Sequence, residues 1–150
     1  MSEPRVRIRR GRRTDFTAVM QLLAASGTAL PPPERATLRR FRNLVNDLGA
    51  DFYLALVDGV LAGLVHVTYA RQLAAAPMAR LEYLVVADAM RRRGVGASLL
   101  RFAQERARQH GCARLSCAAA DAAPAVHQFL AHGGLSDAGR VFAQGFEEIS

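Results

Sequence analysis

Residues 91–100 read Arg-Arg-Arg-Gly-Val-Gly-Ala-Ser-Leu-Leu, three arginines and a glycine-x-glycine ahead of a helical pattern. A helix N-terminus carries partial positive charge on its unpaired N–H groups, so each arginine crowded there is unfavourable by roughly 0.3–1 kcal/mol. An anion between them reverses the sign. Gly94 and Gly96 have no Cβ and let a ligand reach the main chain, while Arg91, Arg92 and Arg93 each add a charged donor. The chemistry on offer is a phosphate cradle built from backbone N–H groups. The alternative is a loop that merely tolerates solvated arginines. A P-loop is excluded because the stretch holds no lysine, and a dinucleotide fingerprint would need glycine where Leu99 stands.

The whole chain carries a net charge of +7, from 20 Lys+Arg against 13 Asp+Glu, which fits nucleic acid, membrane headgroups or a phosphorylated small molecule. Bases also gather at 5–13 and 35–42, where solvated faces are the plainer reading, although the second cluster hints at an acidic acceptor. No helix-turn-helix, RNA-recognition or zinc signature is present, and the few aromatics are not interleaved with the bases, so no nucleic-acid partner is expected. There is neither a secretory segment nor an apolar run of bilayer length, which predicts a cytoplasmic protein with no membrane partner. Cys112 and Cys117 lack a second pair at metal-ligand spacing, so reduced thiols and no metal are expected.

The elements that must hold the 91–100 stretch are legible from periodicity. Residues 5–10 alternate and read as a short edge strand. Thr14 or Asp15 can cap a helix carrying Phe16, Val19, Met20 and Leu23, which Gly27 ends. Residues 34–48 carry a stripe of Leu38, Phe41, Val45 and Leu48. Two apolar runs, 51–57 and 60–70, meet at Asp58-Gly59, a hairpin signal because a tight turn needs positive φ. A central strand at 79–86 precedes the glycines. A helix from about 95 to 110 closes at Gly111, a strand follows at 113–119, and Pro124 opens a short helix that Gly133-Gly134 ends. Residues 139–146 fit a closing strand, with a short strand before it. No repeat or linker divides 1–150, which predicts one mixed α/β domain with a single sheet.

"YLVVADAMRRRGVGASLL" (83–100) resembles the acyl-CoA-binding motif of the GNAT superfamily of N-acyltransferases, with Arg91, Gly94, Gly96 and Leu99 at motif positions and Asp88 in place of the proline. "HQFLAHGGL" (127–135) is similar to that family's later signature through His127, Phe129, Gly134 and Leu135, and Gly63 suits its second hairpin strand. The resemblance implies a mostly antiparallel sheet of six to seven strands that splays between strands four and five, with about four helices on its faces. It implies acetyl-CoA as co-substrate, its pyrophosphate on the amides of 91–97. Leu84, Val85 and Val86 would meet the pantetheine arm, and the cofactor-binding set is Leu84, Val85, Val86, Arg91, Arg92, Arg93, Gly94, Val95, Gly96, Ala97, Asp121 and His127. His127 and Phe129 would also pack the short helix. Dimers are common in that family, so a homodimer is among the expected assemblies.

The implied reaction moves an acetyl group from acetyl-CoA to a primary amine by direct attack. An amine attacks only when neutral, and a lysine-like amine has a pKa near about 10.4, so a base helps. Glu82 is the first candidate, the only acid in its strand, and simple alternation puts it on the face of Leu84 and Val86. Its structural alternative is an ion pair with Arg80. His66 could do the same work or be a structural histidine. A backbone N–H at Val86 would steady the carbonyl oxygen as it gains charge. The family's usual acid, a tyrosine, is Leu130 here. Tyr83 or Tyr69 could replace it, water could, or the thiolate, with a pKa near about 8.5, could leave unaided. Loss of the tyrosine also motivates a second function, a catalytically silent acyl-CoA-binding module.

Overall fold

The computed structural model describes residues 5–32, 34–91, 93–119 and 124–147. They form two compact units, Met1–Cys117 and Ala118–Ser150. The first contains strand β1 (Val6–Arg10), helices α1 (Phe16–Ala25) and α2 (Glu34–Asn46), strands β2 (Asp51–Val57), β3 (Val60–Ala70) and β4 (Met78–Val86), helix α3 (Val95–Gln109) and strand β5 (Arg114–Ser116). The second contains helix α4 (Pro124–His132), followed to residue 147 by irregular chain.

The strands run in the order β1-β2-β3-β4-β5, antiparallel except for the parallel β4–β5 pair. Alternation distributes the side chains between two layers. Phe52, Leu54 and Leu64 join Val19 and Leu22 of α1 and Phe41 and Val45 of α2 in one buried cluster. On the other face Tyr53 meets Phe102 of α3 at 4.6 Å between ring centroids. Val65, Val67, Val95, Leu99 and Leu100 are each at most 2% exposed. Burying each such side chain contributes about 1.5–3 kcal/mol, so α3 is held to the sheet over most of its length.

Two β-bulges break the alternation, one where Ala55 and Leu56 of β2 pair with Gly63 and Leu61 and leave Ala62 of β3 extra, and one at His66/Val67 opposite β4. In the second, His66 pairs with Tyr83 while Val67 pairs with Leu81, so Glu82 is the extra residue. The hairpin forms as the Asp58-Gly59 spacing predicts, with φ of +52° and +78°.

The described residues hold five strands, not six to seven. The expected strand at 139–146, and the short one before it, are absent. Val141, Phe142 and Phe146 stand 68%, 90% and 81% exposed there, and Gly139 takes φ +133°. Alternation supplies a strand's pattern but not its partner, and an isolated strand leaves its backbone groups to water. Helix α2 stops at Asn46 because Asp47 makes a turn instead, its carboxylate accepting the Gly49 N–H at 2.9 Å. That leaves Leu48 outside the stripe, 86% exposed. Among the described residues no helix is long and apolar enough to cross a membrane.

Candidate active site

Strand β4 leads straight to the glycine stretch. Beyond residues 78–80, where it pairs with β5, its outer edge has no ladder partner among the described residues. On its inner edge the ladder continues to Ala87, whose N–H donates to the Ala62 carbonyl at 2.8 Å. Antiparallel alternation then turns Val85 toward β3 and directs the N–H and C=O groups of Leu84 and Val86 to the open side. Among the described residues the β4–β5 pairing stops short of Leu84 and Val86, whose main-chain groups therefore lie on an edge with no ladder partner.

Gly63 sets how close α3 comes to this edge. A Cβ there would lie 2.7 Å from the Val85 carbonyl oxygen and 3.0 Å from Leu99 Cδ1. Only glycine permits that approach, and it puts the buried Val95 at the end of β4. The connection is a 3-10 turn at Asp88–Met90, and then Gly94 at φ +78°. Among the described residues nothing lies within 4 Å of a Cβ built on Gly94, whose φ of +78° makes its requirement conformational. Ser98 N–H makes the first helical bond, to Gly94 at 2.9 Å. The N–H groups of Val95, Gly96 and Ala97 therefore have no partner within the helix. Among the described residues no side chain caps this end, and no acid occupies the first turn.

The arginines complete the picture. Arg91 and Arg93 are exposed, and Arg91 pairs with Asp88 at 3.1 Å. Both partners of that pair are well exposed, and such pairs contribute about 0–1 kcal/mol, little enough for a phosphate to compete. Arg92 and Asp121 lie outside the described residues. In the second unit His127 donates from Nε2 to the Ala119 carbonyl at 2.6 Å, which fastens α4 to the segment before it.

The three proposed catalytic side chains come together on β3 and β4. His66 and Tyr83 are directly cross-strand, and Glu82 is the bulged residue beside them. The bulge overturns the alternation argument for Glu82. Its carboxylate accepts from Thr68 Oγ1 at 2.9 Å, on the His66 and Leu64 face, while Leu84 and Val86 pair with Val65 and Gly63 on the α3 face. Arg80 Nε lies 3.4 Å from the same oxygen, so the anticipated ion pair is present. Tyr83 is 54% exposed, and His66 only 8%. Burial pushes the imidazole below its ordinary value against the pull of Glu82 and Asp47, which keeps it neutral at neutral pH. Cys117 lies within the field of Glu82 and Arg80, with its thiol pushed up by burial and by Glu82, which argues against a nucleophile. Among the described residues no cluster could hold a metal ion.

Tyr69 belongs elsewhere. Its hydroxyl donates to Asp51, at the end of β3 away from the glycine stretch. Asp51 is 2% exposed and also takes two bonds from Arg106, with Arg10 at 3.9 Å. Sequence reasoning missed this network. Its only local signal was an acid opening an otherwise apolar run.

Residues 16–133 match the model of the Acetyltransferase (GNAT) family. The chain belongs to that family. No curated protein matches it at a significant level. Among solved structures, the fold is similar to a transcriptional regulator from Bacillus halodurans C-125, with 22% identity, TM-score 0.84, and 95% of this chain and 100% of that one covered. It is also similar to an aminoglycoside N-acetyltransferase, AAC(6')-Iy, in complex with CoA (18%, TM-score 0.80, 97% of each chain). A third likeness is to glucosamine-6-phosphate N-acetyltransferase from Arabidopsis thaliana, with 17% identity, TM-score 0.79, and 95% and 99% covered. These identities carry the fold and not the acceptor. The first unit thus sets a five-stranded sheet and helices α1–α3 around a glycine-opened helix N-terminus.

Proposed function

We propose that this GNAT chain is an N-acetyltransferase that moves an acetyl group from acetyl-CoA to a primary amine by direct attack. One observation carries the reading most: the uncapped α3 N-terminus, opened by Gly94 and set by Gly63 against the unpaired edge of β4. The residues fit a pyrophosphate, since the amides of Val95, Gly96 and Ala97, the helix dipole and Arg91, Arg92 and Arg93 all favour negative charge there. Leu84, Val85 and Val86 would hold the pantetheine arm. Bound there, acetyl-CoA supplies the activated acyl thioester. The amine nitrogen forms the new C–N bond as the C–S bond breaks, and the sulfur leaves as thiolate.

Glu82 takes the proton from the ammonium, directly or through water, with Thr68 holding its carboxylate and neutral His66 beside it. The Val86 N–H, on the open edge, donates to the oxygen that gains charge. Of the two candidate tyrosines Tyr83 is the one that can return a proton, since Tyr69 is engaged with Asp51, and water or unaided departure of the thiolate are the alternatives. The reading includes one domain over 1–150, a cytoplasmic location and a homodimer. A second reading, a silent acyl-CoA-binding module, rests on Leu130 standing at the tyrosine position. Thiol release from acetyl-CoA across a panel of amines, beside calorimetry with CoA, tests both. Turnover on any amine supports the enzyme. Binding with no turnover supports the module, and no binding removes both.

A further inference from the structure

The outer edge of β1 is open, and its side chains are basic. Among the described residues β1 pairs with β2 alone, and the sheet ends there. Gly11 N–H bonds Phe52 O at 2.9 Å, which by antiparallel alternation turns Arg7 and Arg9 toward β2. The N–H and C=O groups of Val6 and Ile8 therefore point outward. Over β1 and β2, on the sheet face that carries Arg7 and Arg9, lies an open groove of about 780 Å³, lined by Arg5, Arg7, Arg9, Arg12, Val6 and Leu56 and closed by the Asp58-Gly59 turn. Arg9 is committed to Asp15 through bonds of 2.8 Å, whereas Arg5, Arg7 and Arg12 make no salt bridge among the described residues.

We propose that this edge docks an extended acidic peptide by strand addition. Two features select that occupant. The outward main-chain groups of Val6 and Ile8 match an added strand, and successive strands sit about 4.8 Å apart. On the groove side, residues 5, 7 and 9 share one face, and with Arg9 held by Asp15 it is Arg5 and Arg7, two positions apart, that offer unbridged guanidinium groups to carboxylates at every second peptide position. A second copy of this chain would bring arginine against arginine, which opposes edge-to-edge self-pairing. Strand β4 lies three strands away, roughly 14 Å, so the docking surface is separate from the transfer site. It would recruit a partner or a protein substrate carrying an acidic segment.

The test uses the full chain and a capped synthetic peptide of alternating glutamate and valine, with amide hydrogen exchange and fluorescence anisotropy. The expected result is slowed exchange at Val6 and Ile8, with Arg7 and Arg9 unchanged. Arg7→Glu combined with Arg12→Glu should weaken binding by about tenfold or more, while Arg101→Glu on exposed α3 surface leaves it unchanged. A peptide of the same composition with its glutamates in one block should bind at least about tenfold more weakly. Equal affinity for the block peptide, binding without protection at Val6 and Ile8, or no binding at all would each overturn the proposal. Displacement by an oligonucleotide with no effect on those two amides would assign the surface to nucleic acid instead.

Discussion

Arg106 grips Asp51 in a two-pronged bond, Nε to Oδ2 at 2.9 Å and Nη2 to Oδ1 at 3.0 Å, across 55 residues of chain. The pair ties the first residue of β2 to the C-terminal half of α3. Tyr69 donates to the same carboxylate, and His110 stacks on Tyr69 at 3.9 Å between ring centroids. Burial alone would raise the pKa of Asp51, but bonds from Arg106 and then Tyr69 outweigh it and hold the carboxyl below its ordinary value. The same helix presents its N-terminus at the candidate cofactor loop, so this anchor holds the end remote from the chemistry.

Asp51→Asn should therefore destabilise the fold strongly. Removing one partner of a buried, hydrogen-bonded pair leaves the other charge uncompensated and costs about 3–5 kcal/mol. Urea unfolding checks the size, and a loss within experimental error of zero would make the network ornamental.

Stability should fall in acid in two stages with the same sign. His66 has a folded pKa below its reference of 6.5, so its contribution is full above that value and is lost as pH drops through the folded value. Asp51 and Asp15, both lowered from 3.8, lose theirs below about pH 4. Replacing His66 with Phe should remove the first stage from a profile of melting temperature against pH while leaving the second.

Gly94→Leu forces a branched side chain to φ +78°, at a cost of about 1–2 kcal/mol, and should weaken CoA by about tenfold or more in calorimetry. Gly63→Ala should weaken it too, by pushing Val85 away from β3. Arg7→Ala is the fitting control, because Arg10 is occupied with the Asp47 and Ala50 carbonyls. Equal loss in the control would reduce the effect to generic charge.

Glu82→Gln should lower kcat by about 10²-fold or more with CoA affinity unchanged, as expected for a general base. Tyr83→Phe should lower kcat only if its hydroxyl returns the proton. An undiminished kcat in the Glu82 variant would leave that carboxylate a partner of Thr68 and Arg80 and nothing more.

Much of this was readable in one dimension. The Asp58-Gly59 turn, the apolar stripe of α2 up to Val45, and the β4-glycine-helix succession each depend on residues close in sequence, where turn chemistry and periodicity act directly. The candidate cofactor loop could be proposed for the same reason, since the amides it offers are consecutive in sequence. Glu82 was legible as a residue but not as a direction, because the bulge that turns it toward Thr68 depends on register with β3. The strand expected at 139–146 had a pattern but no partner.

The sequence by itself determined the helices and strands up to β5, the glycine positions and the family to which they belong, since these rest on local propensity and on motif spacing. Only the tertiary structure decided that Glu82, Tyr83 and His66 share one patch, that Tyr69 serves Asp51, and that Arg9 and Arg10 are spent while Arg7 is not. Those outcomes are pairings between residues distant along the chain, and a side chain's partner is settled by packing, which periodicity does not encode.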